Sequence, residues 1–140
     1  MRALLALFLL CATPLAAQNI IPKGQGDAAL FAALQQPNQI VDGAATWPID
    51  WDRQAPLDLI VQAVYASAYG GNATSLEYRI VTPVQGGYVM GAPFELPGAG
   101  IKEVQTHPEG AVLIQYQYRD GDPRCCPSGI VSTILARVVP

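Results

Sequence analysis

Cys125 and Cys126 stand side by side in GDPRCCPSG, residues 121–129. Adjacent thiols can close a vicinal disulfide, exchange electrons, or bind a soft metal. The remaining cysteine, Cys11, falls in an apolar leader, so once that leader is removed intramolecular oxidation can only join neighbours. Cα atoms across a trans peptide lie about 3.8 Å apart, below the roughly 4.4–6.8 Å that unstrained disulfides span. A bond between these residues therefore calls for a distorted or cis peptide. Chain entropy for so short a loop gives only about 1 kcal/mol, so the effect is local: it fixes the Arg124–Pro127 backbone. A redox role needs an exposed thiolate of low pKa. Arg124 favours that state, Asp120 and Asp122 oppose it, and no Cys-x-x-Cys spacing is present. Closed zinc sites want four ligands at loop spacings, and His107, before the PEG turn, is the only histidine. Asp120-Gly121-Asp122-Pro123 and Pro127-Ser128-Gly129 are dense turn chemistry. A constrained turn is the preferred reading of this stretch, with a thiol-redox pair as the alternative.

Asp50, Asp52 and Asp58 occupy positions 1, 3 and 9 of a loop, an oxygen spacing used by calcium sites. Position 5 is Gln54, position 6 is Ala55 rather than glycine, and Arg53 and Pro56 discharge and stiffen the loop. The three aspartates are candidate calcium ligands, and a solvated turn is the reading the departures favour. Asn72-Ala73-Thr74 has the form of a glycosylation sequon, in a Gly-rich turn where asparagine belongs anyway. Ser128 lacks a strand–elbow–helix setting and a His–acid partner. No pair of carboxylates stands out for acid–base work, so the sequence offers no catalytic constellation.

Most of these residues lie between short periodic segments that must position them. DAALFAALQQPN predicts one helix: Asp27 caps it, Leu30, Phe31 and Leu34 share a face, and Pro37 ends it. NIIPKGQG before it reads as irregular. From Asp58 onward the period falls to two. DLIVQAVYAS sets Leu59, Val61, Ala63 and Tyr65 against Ile60, Gln62 and Val64, with one face expected to be more buried. LEYRIVT and YVMG follow as strands, PFELPGAG reads as a loop, and IKEVQTH as a short strand. AVLIQYQYR alternates most cleanly, with Val112, Ile114, Tyr116 and Tyr118 opposite Leu113, Gln115, Gln117 and Arg119. IVSTILARVV closes the chain. Twelve prolines and thirteen glycines in 140 residues also favour many turns over a bundle. The fold class is mainly β (α+β): an antiparallel sheet, or two packed sheets, with one short N-terminal helix and meander pairing.

MRALLALFLLCATPLAA begins with Arg2, continues in an apolar run and ends in small residues, the pattern of a cleaved secretory signal. It is too short for a membrane span, which needs roughly 20 apolar residues. Cleavage near Ala17 leaves residues 18–140 as a single exported domain and, with Arg2 lost and no acid, moves the net charge from −3 to −4. That balance disfavours nucleic acid and anionic membranes as partners. A lipid anchor at Cys11 is disfavoured, because Phe8-Leu9-Leu10 lacks the small residues that lipoprotein processing prefers.

The aspartate loop before a strand, the YGGN turn and the DGDPRCCPS motif together resemble a loose family of exported bacterial proteins and lipoproteins of the LppP/LprE type, over residues 48–139. The resemblance implies a non-catalytic, periplasmic or secreted envelope protein and supplies no catalytic residues. Relatives carry a fuller aspartate loop than this chain. The expected function is a binding or structural module for an envelope protein or ligand; the alternatives are a thiol-redox protein using Cys125 and Cys126, and a calcium-stabilised module using Asp50, Asp52 and Asp58. No cofactor other than calcium is suggested.

Overall fold

The computed structural model describes residues 19–22, 27–71 and 74–137. The segment read as a secretory leader, with Cys11, and Asn72 and Ala73 of the sequon-like turn lie outside them. Two antiparallel sheets and one helix make up the fold. The larger sheet has the order β1 (Asn19–Pro22), β2 (Gln39–Ile49), β3 (Asp58–Ser67), β4 (Thr74–Val84) and β5 (Gly87–Phe94). The smaller has β6 (Ile101–His107), β7 (Gly110–Gln117) and β8 (Gly129–Ala136). Within each sheet every strand pairs with its neighbour in sequence, while β5 and β6 fall in different sheets.

Helix α1 (Ala28–Leu34) sits where its sequence places it. The Asp27 carboxylate accepts from the Ala29 and Leu30 amides, satisfying donors that the first turn leaves orphaned. Leu30 and Leu34 are buried against Val41, Ala44, Val61, Ala63, Tyr65 and Val81 of the larger sheet. The same aspartate ties the helix to β5, because the Tyr88 hydroxyl donates to its other oxygen. That hydrogen bond, then burial and the Asp27 charge, push the Tyr88 phenol up to about 12. The bond to Tyr88, helped by those from the Leu30 and Ala29 amides, holds the Asp27 carboxyl low against the opposing effect of burial.

The signs give the pH window of this tether. The raised Tyr88 stabilises fully below its unfolded value near 10 and loses that contribution as pH climbs through about 12. The depressed Asp27 stabilises above its unfolded value near 3.9 and loses its contribution as pH falls through its folded pKa. Tyr88→Phe is therefore expected to remove part of the alkaline loss of melting temperature between about pH 10 and 12. The check is the wild-type-minus-variant difference across that range, which should narrow toward high pH; a constant difference would count against the tether.

Two strands depart from the sequence expectation. β1 falls in the segment read as irregular, and β2, paired on both sides, forms where no strand was expected. Gly43 and Pro48 are poor strand formers, and a bulge at Asp42, between Val41 and Gly43, breaks the period of two. β5 also runs on to Phe94, into the segment read as a loop.

Both faces of β3 are covered, which explains why its two residue sets are both apolar-rich. Val61, Ala63 and Tyr65 meet the helix. Ile60 joins Ala45, Trp47, Ile49 and Tyr78 in a second core completed by Ile101, Val104, Ala111 and Leu113 of the smaller sheet. The layers are thus helix, five-stranded sheet and three-stranded sheet, an arrangement that covers both faces of the larger sheet and the inner face of the smaller one. Gln62 joins the two sheets by a polar contact, its Oε1 accepting from the Ile101 amide at 2.7 Å. No helix among the described residues is long and apolar enough to cross a membrane.

Candidate functional site

The double cysteine lies in the 118–128 connection between β7 and β8, and both residues are exposed. Their sulfurs are joined as a disulfide, with Cα atoms 3.8 Å apart. That is the trans spacing, and the cis bond among the described residues is instead Ala55–Pro56. Two consecutive turns build the loop. Asp122 N donates to Arg119 O at 3.0 Å across Gly121, whose φ of 87° suits glycine. Cys126 N donates to Pro123 O at 2.9 Å, and the Tyr118 hydroxyl donates to Arg124 O.

Asp122 closes the neck of this loop. Its Oδ2 accepts from both the Arg119 and Ser128 amides at 2.8 Å, one on each limb. These two donors hold its carboxyl below the usual aspartate range. Of the turn residues singled out in the sequence, Asp122 is thus the one whose side chain organises the others, while Asp120, Pro123 and Pro127 shape the backbone around it. Asp122→Ala is expected to speed exchange of the Arg119 and Ser128 amides by about tenfold or more. Asp122→Asn, which keeps an acceptor, should change them less. Equal protection in wild type and Asp122→Ala would show that the neck is held by something else.

The aspartate loop uses its acids internally. Asp58 is 1% exposed. Its Oδ1 accepts from the Thr82 hydroxyl at 2.5 Å and its Oδ2 from the Asp52 amide at 3.2 Å. Asp52 itself accepts from the Gln54 amide at 2.8 Å, an Asx-type turn, with Arg53 at φ 62°. Asp50 is exposed, and its carbonyl accepts from Arg137 Nη2 at 2.8 Å, while that guanidinium lies over Trp51. Among the described residues, no group of three or more His, Cys, Asp or Glu side chains is placed to hold a metal ion. The spacing that resembled a calcium loop brings Asp52 and Asp58 together through a backbone amide.

A cleft of about 540 Å³ opens where β5 parts from β4, and Gln36, Tyr65, Glu77, Tyr78, Phe94 and Glu95 are among its lining residues. Tyr78 and Phe94 stack with ring centroids 6.0 Å apart. Glu77 accepts from Arg79 Nε at 2.6 Å and from Gln36 Nε2 at 2.8 Å. Burial alone would push its carboxyl up; the hydrogen bonds from Arg79 and Gln36 outweigh that and hold it low. The Tyr65 hydroxyl donates to Leu34 O at 2.8 Å. These partners tie the end of α1 to β3 and β4, so the polar wall of the cleft is engaged with itself.

The outer face of the smaller sheet is different. Of the two faces of β7, the structure turns Leu113 and Gln115 inward and leaves Val112, Ile114 and Tyr116 outward. Tyr116 and Tyr118 are 38% and 49% exposed, and Ile130 and Ile134, on the same side of β8, 46% and 56%. The more apolar face is therefore the solvent face. It is closed from the inside by Gln115, 0% exposed, whose Oε1 accepts from the Gly98 amide at 2.9 Å and whose Nε2 donates to Thr133 Oγ1 at 2.8 Å. Strand alternation separates these two faces but does not say which is inside, because Gln115 finds its partners on a loop and on another strand. No protein-family model, curated protein or solved structure matches this chain.

Proposed function

We propose that this is an exported, non-catalytic binding module of the bacterial envelope, which takes a protein partner on the outer face of β6–β7–β8. The carrying observation is the exposed Tyr116, Ile130 and Ile134, with the half-buried Val112 and Ile114 beside them on the same outer face. Contiguous exposed apolar surface rimmed by polar residues marks interaction sites, and tyrosine is enriched where such surfaces bind. The negative net charge argues for a protein over an anionic membrane. The secretory leader and the DGDPRCCPS resemblance support the location. A photo-crosslinking residue at Tyr116, against a control at Gln85 in the β4–β5 turn, tests it in a periplasmic fraction. A discrete adduct from Tyr116 alone is expected; no adduct, or the same adducts from both positions, would remove this face as the site.

The thiol-redox reading keeps one observation in its favour: the cysteines are bonded and exposed. Alkylation and mass spectrometry with and without mild reductant address it. A two-dalton loss reversed at potentials near those of oxidoreductases supports a redox role, and a bond that resists mild reductant sinks it.

A further inference from the structure

Among the described residues, β1 and β5 edge the larger sheet and β6 and β8 the smaller. A sheet edge presents unpaired N–H and C=O groups, and proteins that remain monomeric blunt their edges with short strands, prolines, bulges or charges. Three of these edges carry such protection. β1 is four residues long and ends on Pro22. β5 is paired with an irregularity in register and contains Pro93. β6 has an irregularity between Ile101 and Glu103, with Lys102 at that point. β8 carries none: GIVSTILA has no charge and no proline, and it pairs with β7 over eight consecutive residues without a break.

We infer that β8 is a pairing edge and that its occupant is β8 of a second copy of this chain. The edge is self-complementary about Ser132. In an antiparallel pair centred there, Ile130 faces Ile134 of the second copy, and each Val131 faces a Thr133. All are β-branched residues of the kind that stabilise cross-strand positions. Ile130 and Ile134, the exposed aliphatic residues of β8, cover each other in both halves of the pair. No like charges meet along 129–136, despite a net charge of −3 on the chain. A twofold pair of this kind is closed: the six-stranded sheet it makes ends on the guarded β6 at both sides, so assembly stops at two. The twofold also places the two outer apolar faces in one continuous surface. One strand edge is a small interface beside the roughly 1,600 Å² of standard complexes, so a dissociation constant of about 10–100 µM is expected.

Analytical ultracentrifugation of the domain 18–140 up to about 1 mM tests this, and a species of twice the monomer mass is expected within the predicted range. Ser132 is exposed, so Ser132→Lys should leave the circular dichroism spectrum unchanged. It sets two lysines opposite each other at the twofold and should weaken the dimer about tenfold or more. Ser132→Cys should give a covalent dimer under mild oxidation, and Thr133→Cys, which faces Val131 of the second copy, should not. Tyr116→Ser should leave the dimer in place, which separates this inference from the proposed partner site. A wild type that stays monomeric to 1 mM, a dimer that survives Ser132→Lys, or equal crosslinking from positions 132 and 133 would each overturn it.

Discussion

Trp47→Ala is expected to cost about 3–5 kcal/mol of folding free energy. Trp47 is 0% exposed and is the largest fully buried side chain. It sits on β2 in the core that joins the two sheets, with Ile60 and Tyr78 on one side and Val104 and Leu113 on the other. A truncation there removes an indole from between two rigid layers, and sheets held by their own ladders collapse only partly into the gap. Domains of this size are stable by about 5–15 kcal/mol in total, so the variant loses a third or more of a typical reserve. Its indole Nε1 has no hydrogen-bond partner. Trp47→Phe, which deletes that orphaned donor while keeping a ring, should therefore cost well under half as much, about 1–2 kcal/mol. Urea unfolding followed by circular dichroism compares the two. Equal losses for Ala and Phe would mean that packing volume is not what this position supplies.

Gln115→Ala is expected to cost about 2–4 kcal/mol, combining a small cavity with two broken hydrogen bonds. Its carbonyl holds the Gly98 amide and its amide holds the Thr133 hydroxyl, so one buried side chain fixes both the loop before β6 and the strand after β7. Gly98 can approach this closely only because it has no side chain: an added Cβ would lie 2.5 Å from Gln115 Cβ and 2.7 Å from the Tyr116 carbonyl. Gln115→Leu restores most of the volume and leaves the Gly98 donor unpaired, at about 1–3 kcal/mol. The informative readout is amide exchange at Gly98 alongside global stability. If Leu is neutral and Gly98 remains protected, the glutamine is held by packing alone.

The helix was legible at its start and in its buried face, because an N-cap aspartate and an apolar face act locally, although it ends at Leu34 rather than running to Pro37. β3 was legible for the same reason: its pairing with β4 runs without a break. β2 was not, although it pairs on both sides, because Gly43, Pro48 and the bulge at Asp42 erase the local signal that its partners supply in three dimensions. β7 shows the other limit. Its two faces could be separated by alternation, but the polar member Gln115 is buried because Gly98 and Thr133 come to it from elsewhere. The sequence showed that DGDPRCCPS is a turn; that a single Asp122 oxygen spans its neck depends on two limbs meeting in space.

The meander order has a kinetic consequence. Each strand finds its partner next to it in sequence, so loop-closure entropy is low at nearly every step. The longer closures are that of β1 on β2, across residues 23–38 that include α1, and that of β8 on β7, across the 118–128 connection. Conservative substitutions in β3 and β4 are thus expected to slow refolding, whereas those in β8 chiefly hasten unfolding. Stopped-flow measurements on Val61→Ala and Val131→Ala give the comparison, and a larger refolding effect for Val131→Ala would reverse the order. On this account β8 docks late and leaves early within the smaller sheet, and its outer edge is the one proposed to meet another chain.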